Sequence, residues 1–468
     1  MIEDPATLLA DAPQVRQALQ DAGWSSAALD DLLGPRHREH LDRDELRPLL
    51  RRTAGSSALE RLARALVVGA EVAAGTLPDS WVGPDGRALV RLQGVTHGAV
   101  DVTVPHDPGS AAAQVHPEQV LGVGAASLTL AAATPRAVVG SVLDLGTGAG
   151  IQALLAEDHA TEVVATDRNP RAVAYTRLAA ALNGVTVDAR GGDLLEPVAG
   201  EQFDLVVSNP PFVVGPGRRY TYRDAGYEGD EVSRLLVQQV PSVLAPGGHA
   251  VLLVNWLHRE GEDGDARVRS WFEGTGCDAW VVQRELAAPE DYVTAWLRDT
   301  DESAFDAQYD EWLDALAGVE AVAFGIVAMH RRLDGLPPLV TLEEVLQPTA
   351  ASWGEEVLAH FARRPLLEGD LLTARLRLRD DVRLHQVASR SDEGWLASSQ
   401  LLQQERGLRW SGGVDSYGAT LLAGCDGTRT LGELVTVLAA ALDMGPGEVA
   451  EQVVPVVERL IGQGFLEA

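Results

Sequence analysis

The chain has 468 residues, enough for two or three domains, and 46 % of them are hydrophobic, which suffices for ordinary globular cores. No apolar run approaches bilayer-spanning length, and Met1-Ile2-Glu3-Asp4 lacks the charged and apolar regions of a signal peptide, so a cytoplasmic protein without membrane contact is expected. A net charge of −30 disfavours a large polyanionic partner, and the two cysteines, Cys277 and Cys425, permit neither a disulfide framework nor a thiolate cluster, so no metal is expected. All 38 basic residues are arginine, and local arginine clusters could still bind phosphate.

Residues 1–85 predict a helical domain, because Val15, Leu19, Leu29, Leu32, Leu33, Leu46, Leu49, Leu50, Leu59, Leu62, Leu66 and Val67 recur at helical spacings among charged residues. Composition shifts to Pro and Gly around Asp79 to Gly86. Ala88 to Leu92 and Ala99 to Val104 then read as two strands of a hairpin-like unit, followed by a linker-like stretch from Pro105 to Gln114. The segment from His116 to Gly124 leads into a predicted helix, Ala125 to Ala133.

The stretch from Ser141 to Val214 carries most of the functional signal. Val142-Leu143-Asp144-Leu145 is a buried-strand run, and Gly146-Thr147-Gly148-Ala149-Gly150 is a tight turn that lets the backbone approach a ligand closely. Ile151 to Glu157 continues it as a helix, the opening of a nucleotide-binding α/β unit. The dinucleotide fingerprint needs glycine where Ile151 stands, so a nicotinamide or flavin cofactor is disfavoured. A second strand, Glu162 to Thr166, ends in Asp167, where a carboxylate can accept from both ribose hydroxyls. A third, Val185 to Ala189, leads to Gly192-Asp193-Leu194. A fourth, beginning at Phe203, ends in Ser208-Asn209-Pro210-Pro211-Phe212.

With its acid-x-Gly-x-Gly-x-Gly turn, two following strand-end acids and an Asn-Pro-Pro-Phe, the chain resembles the class I S-adenosylmethionine-dependent methyltransferases of the Asn-Pro-Pro-aromatic branch. The resemblance implies an α/β fold with a seven-stranded Rossmann-like sheet, the last strand inserting antiparallel beside the sixth. It implies S-adenosylmethionine as cofactor, held by Asp144, Gly146, Thr147, Gly148, Gly150, Asp167, Arg168, Asp193, Leu194 and Asn209, with Asp193 on the adenine amino group. Asn209, Pro210 and Phe212 would be catalytic. The Asn209 side-chain oxygen and the Pro210 carbonyl would accept both N–H bonds of a planar nitrogen, and Phe212 would lie against its face. The loop from His116 to Gly124 would cover the pocket near the methionine end.

After that motif, Gly215 to Asp230 is irregular and aromatic, and Pro211, Arg218, Arg219, Tyr220 and Arg223 are candidate substrate-binding residues. The branch often shows Asp-Gly-Gly where this chain has Asp224-Ala225-Gly226. A helix from Glu231 to Leu244, strands at Ala250 to Asn255, Ala279 to Gln283 and Val322 to Met329, and a helix near Ala304 to Leu316 complete the seven-stranded domain, 86–333 with its core at 141–333. Trp256 is a core residue or lines the substrate mouth. Residues 334–468 form a C-terminal α+β domain. In it Arg375 to Arg379 alternates as a strand with one arginine face, Thr430 and Glu433 form a capping box, and Val449 to Ile461 is an amphipathic helix. From about 417 it resembles the small winged-helix domains of peptide-binding modules such as the pyrroloquinoline-quinone D-type proteins.

The motif defines the atom and leaves the polymer open. A protein N5-glutamine methyltransferase, similar to release-factor modifying enzymes, is favoured by acidity and the peptide-module-like C-terminus. An RNA, less so DNA, N-methyltransferase acting on exocyclic adenine or guanine amines is favoured by the arginines. A non-catalytic binding protein is the third reading.

Overall fold

The computed structural model describes residues 4–109, 118–211, 213–215, 229–297, 302–333, 335–392 and 394–468. Two compact units result, one from residues 1–131 and 137–344, the other from 132–136 and 345–468.

The first unit opens with helices α1 (Ala12–Asp21), α2 (Ser26–Leu33), α3 (His37–Asp42), α4 (Leu46–Arg52) and α5 (Ala58–Leu66). The last starts at a reciprocal cap, with Ser57 accepting from the Glu60 N–H and Glu60 reaching back to the Ser57 N–H. An antiparallel hairpin follows, β1 (Arg91–His97) and β2 (Val100–His106). These are the two expected strands, shifted a few residues toward the C-terminus. Leu8, Val15, Leu19, Leu62 and Leu66 share one apolar cluster with Val95 and Val104 of the hairpin and with Ala149, Leu154 and Tyr175 further along. The N-terminal helices therefore pack into the same unit as the sheet.

Helix α6 (Ala125–Ala133) precedes β3 (Val139–Leu145), α7 (Ile151–Ala156), β4 (Ala160–Asp167), α8 (Pro170–Asn183), β5 (Asp188–Gly191) and β6 (Phe203–Ser208). Helix α8 has Asn169 capping the Arg171 N–H, Pro170 at its first position and Gly184 in the left-handed conformation at its end. Then come α9 (Glu231–Gln239), β7 (Leu244–Arg259), α10 (Gly264–Ser270), β8 (Cys277–Ala287), α11 (Pro289–Trp296), α12 (Glu302–Ala315), β9 (Val319–Arg331) and β10 (Val340–Glu344). Helix α9 stops at Gln239, short of the expected Leu244, because Pro241 lies in a tighter 3-10 turn, Val240–Ser242.

The sheet order is β10-β8-β9-β7-β6-β3-β4-β5. Strand β9 is antiparallel to both its neighbours, β7 and β8, as the resemblance implied. An eighth strand adds to the seven expected: β10 pairs in parallel with β8. Its terminal acids find partners across the pair, Glu343 accepting from the Trp280 indole at 2.7 Å and Glu344 from Gln283 at 2.9 Å. The central strands are apolar runs buried on both faces, as a covered parallel sheet requires. Trp256 is 2 % exposed and packs in this core, not at a substrate mouth.

The second unit holds α13 (Gly354–Ala362), α14 (Arg364–Glu368), β11 (Arg377–Leu378), β12 (Val382–Ser391), β13 (Gly394–Gln404), β14 (Ser411–Gly413), α15 (Ser416–Ala423), α16 (Leu431–Leu442), α17 (Pro446–Gly462) and β15 (Leu466–Glu467). The Thr430/Glu433 capping box opens α16 as expected. The arginine-faced strand is a correction. Only Arg377 and Leu378 are extended against β15, while Arg379 is drawn to Glu356 and Asp381 and Arg375 to the Thr428 carbonyl. The backbone here is shared between two partners, the Leu376 carbonyl accepting from the Gly427 N–H at 3.0 Å and the Arg379 N–H donating to the Phe465 carbonyl at 3.0 Å, so no single regular ladder extends past two residues.

Candidate active site

Strand β3 lies between β4 and β6, all parallel, and from it the chain winds toward β4 and β5 on one side and β6 and β7 on the other. This is the switch point where open α/β sheets bind ligands. The register pairs Leu145 with Ser208 and with Thr166, so the glycine turn, Asn209 and Asp167 leave the sheet side by side. Ser208 donates its hydroxyl to the Leu145 carbonyl at 2.7 Å, tying two of these ends together.

The glycine turn is held from below. The Thr166 carbonyl accepts from the Gly146 and Thr147 N–H groups at 2.8 and 3.0 Å. Gly146 and Gly148 have φ of 75° and 58°, and a Cβ on either would meet nothing within 4 Å among the described residues, which leave open space over both. Gly150, at φ 89°, is needed for close packing: a Cβ there would lie 3.2 Å from the Thr176 backbone of α8. Asp144 is 1 % exposed, and its carboxylate accepts from the Thr147 hydroxyl at 2.7 Å and the Ala153 N–H at 3.0 Å. It shapes the turn from inside the fold. Burial pushes its carboxyl up to about 6, against the pull of those two hydrogen bonds.

At the end of β4, Asp167 accepts from the Gly148 N–H at 3.0 Å and the Asn169 N–H at 2.8 Å, while burial raises its carboxyl above the usual range. Arg168 is exposed beside it. Asp193 is exposed, and Leu194 takes φ 46°, a strained backbone for a branched residue. Asn209 and Pro211 are half-buried and Pro210 is buried. Asn209 donates its amide to the Ser127 hydroxyl on α6 at 3.2 Å. Beyond the prolines, the Tyr292 hydroxyl of α11 accepts from the Val214 N–H at 2.8 Å, and a Cβ on Gly215 would meet the Trp312 ring of α12 at 3.0 Å. Phe212, Arg218, Arg219, Tyr220 and Arg223 lie outside the described residues, as do His116 and the Asp224-Ala225-Gly226 sequence.

Several supporting residues gave no sequence signal. Asp107, in the linker-like stretch, is buried and accepts from Arg171, from the Tyr175 hydroxyl at 2.7 Å and from the Val120 N–H at 2.9 Å. Asn169 donates to the Glu118 carbonyl at 3.0 Å, and Gln93 exchanges two hydrogen bonds with Val123. The segment 118–124 is thereby fastened to the residue that caps α8 and contacts Asp167. The Asn169-Pro170 pair, a helix-start signature, was the one local clue to this.

A cofactor that offers a ribose and an amino-acid tail fits these residues: the space over Gly146 and Gly148 is open, and Asp167 presents a carboxylate at the same switch point. Among the described residues, no group of three His, Cys, Asp or Glu could hold a metal ion.

Residues 115–259 match the family model of the methyltransferase small domain. The central part of the chain thus carries a methyltransferase domain of Rossmann-like fold. Residues 21–102 and 358–468 each match a model described as a domain of unknown function, DUF7059 and DUF7782 respectively. The release factor glutamine methyltransferase of Geobacter sulfurreducens is 36 % identical over 159 residues, covering 31 % of this chain and 53 % of that protein. The protein of the same name from Deinococcus radiodurans is 38 % identical over 123 residues, covering 24 % and 44 %. The ribosomal RNA small subunit methyltransferase C of Alcanivorax borkumensis is 33 % identical over 116 residues, covering 25 % and 32 %. A solved T. thermophilus 16S rRNA methyltransferase is similar with a TM-score of 0.32 at 20 % identity, over 58 % of this chain and 61 % of that one. The chain spans about half the length, or less, of these curated relatives.

Proposed function

We propose that this chain is an S-adenosylmethionine-dependent N-methyltransferase acting in the cytoplasm on a planar nitrogen of a macromolecule, and that the nitrogen is a protein glutamine amide. The observation that carries the reading is the register that sets the glycine turn, Asp167 and Asn209 at three adjacent strand ends. One motif would hold the cofactor and the other the acceptor.

When bound, S-adenosylmethionine supplies an electrophilic methyl group. The chain's task is then alignment. An amide nitrogen is a weak nucleophile because its lone pair is delocalised into the carbonyl. In this reading the Asn209 Oδ1 and the Pro210 carbonyl accept its two N–H bonds and direct the lone pair toward the methyl. Pro210 and Pro211 fix φ and offer no N–H that would compete for those acceptors. Asp167 accepts from the ribose hydroxyls, and Asp144 and Thr147 keep the turn open. The proton departs after transfer, so no strong base is required. Phe212, Pro211 and the arginines 218, 219 and 223 are proposed to line the acceptor, and Arg168, Asp193 and Leu194 the adenosine. The N-terminal helices and the C-terminal unit are proposed to recognise the substrate.

A protein acceptor is favoured over nucleic acid by what surrounds Val214. The helices packed against it, α11 and α12, expose Glu290, Asp291, Asp306, Asp310, Glu311 and Asp314, which would repel a phosphate backbone. The relatives named for release factors agree with that choice, and those named for ribosomal RNA supply the alternative.

The test is transfer from methyl-labelled S-adenosylmethionine into a lysate lacking this protein, with the product divided between protease and ribonuclease. Label lost to protease alone, and recovered as N5-methylglutamine after digestion, is expected. Label lost to ribonuclease alone would replace the protein substrate with RNA.

A further inference from the structure

The Asn209 amide has two ends of opposite character, and the proposed reaction uses only one of them. Oδ1 can accept an N–H bond from the acceptor nitrogen, whereas Nδ2 would present two donors to a group that is itself a donor. The site works only if the amide is held one way round. Pro210 restricts the Asn209 backbone but leaves its side-chain torsion free. Something outside the motif must set it.

That contact comes from α6. Asn209 donates Nδ2–H to the Ser127 hydroxyl at 3.2 Å, across 82 positions of sequence. Because the amide is planar, turning Nδ2 toward α6 puts Oδ1 on the other arm, away from Ser127. Ser127 lies in the first turn of α6 and is itself braced: its carbonyl accepts from the Gln152 Nε2 at 2.7 Å. Gln152 is the second residue of α7, directly after the glycine turn, and is 4 % exposed. Among the described residues its Oε1 is buried without a hydrogen-bond partner, so a polar side chain is kept inside the fold beside its bond to Ser127. A leucine would pack there with no unsatisfied acceptor. A continuous line therefore runs from the cofactor turn through Gln152 and Ser127 to the acceptor amide.

We infer that Ser127 is a positioning residue that holds the Asn209 amide with Oδ1 toward the acceptor nitrogen, and that Gln152 braces Ser127 from the cofactor turn. The inference rests on the methyltransferase reading and adds to it the device that orients its central side chain. Without the hydroxyl, the amide rotates between two states, one of which repels the acceptor. Turnover falls, while the cofactor seat, built from Asp144, Asp167 and the glycines, is untouched. Misplacing a reacting group by about 1 Å costs on the order of a hundredfold in rate.

The experiment compares full-length wild type, Ser127→Ala, Ser127→Thr and Asn209→Ala. Three quantities are read on each: initial rate of label transfer into the lysate at saturating S-adenosylmethionine, KM for S-adenosylmethionine, and calorimetric affinity for S-adenosylhomocysteine. The expected result is a roughly 10- to 100-fold lower rate for Ser127→Ala, with KM and affinity within about twofold of wild type, and recovery of most of that rate in Ser127→Thr. A wild-type rate in Ser127→Ala overturns the inference and leaves the methyltransferase reading intact. So does a tenfold loss of S-adenosylhomocysteine affinity at unchanged saturated rate, which would make Ser127 part of the cofactor seat, and so does Ser127→Thr as slow as Ser127→Ala. Wild type that binds S-adenosylhomocysteine yet transfers no label overturns the parent reading along with this one.

Discussion

The two halves of the site are held in different ways. Around the glycine turn, Asp144, Thr147, Thr166, Asp167 and Ala153 form a dense set of hydrogen bonds among residues within about one βα unit of each other, and the strands beneath are buried. Among the described residues, the contacts around Asn209 come from afar: Ser127 from 82 residues upstream and Tyr292 from 78 residues downstream of its partner Val214. The glycine-turn half is a local structure. The half around Asn209 is assembled by the tertiary fold, and in the proposed reading this lets substrate choice change through α11 and α12 without disturbing the glycine turn.

Substitutions should separate the halves. Asn209→Ala should lower single-turnover methyl transfer by roughly a hundred- to a thousandfold, the loss that accompanies removal of one preorganised hydrogen-bonding group, while S-adenosylhomocysteine affinity stays unchanged in calorimetry. Asp107→Ala should cost about 3 kcal/mol in denaturant unfolding, because it leaves the Arg171 guanidinium buried without its carboxylate and frees the Val120 N–H. A loss below 1 kcal/mol would show that the 118–124 segment is fastened some other way. Asp167→Ala should weaken S-adenosylhomocysteine about 10- to 100-fold, through the lost ribose acceptor and the freed Gly148 N–H, with little change in the saturated rate.

The smallest effect concerns pH. Burial raises the Asp144 carboxyl from 3.8 to about 6, so the folded state binds that proton more tightly than the unfolded chain does. This contribution is complete below about pH 4 and is lost as pH rises through 6. Asp144→Asn, which keeps one acceptor and carries no charge, should therefore gain on wild type by roughly 2 kcal/mol between pH 4 and 7 in thermal or denaturant unfolding. A constant difference across that range would mean that the carboxyl titrates below 4 in the folded protein.

The same contrast explains what could be read from residues alone. The glycine turn was legible because its requirements are local: Gly146 and Gly148 need positive φ and open space, and Gly150 needs room against Thr176. The buried runs of β3, β4, β6, β7, β8 and β9 announced themselves by composition, and Thr430 and Glu433 announced α16, whereas β5, expected at Val185 to Ala189, runs over Asp188–Gly191 and is largely not buried. Strand β10 was missed because Val340-Thr341-Leu342-Glu343-Glu344 is short and ends in two acids, whose partners Trp280 and Gln283 lie on another strand. The alternation from Arg375 to Arg379 misled for the converse reason, since the residues that share its backbone, Cys425, Gly427 and Phe465, and Glu356, which claims Arg379, lie far along the chain. Ser127, Gln152 and Asp107 gave no signal at all, because each matters only through a residue far along the chain.

The central claim is that the Asn209 half transfers what the glycine-turn half holds. The most direct measurement is the single-turnover rate of methyl transfer by Asn209→Ala, taken at S-adenosylmethionine concentrations shown by calorimetry to saturate the variant. A saturated variant that transfers at least a hundredfold more slowly than wild type is the predicted result. A saturated variant that keeps the wild-type rate would contradict it and move the reacting nitrogen elsewhere on the chain.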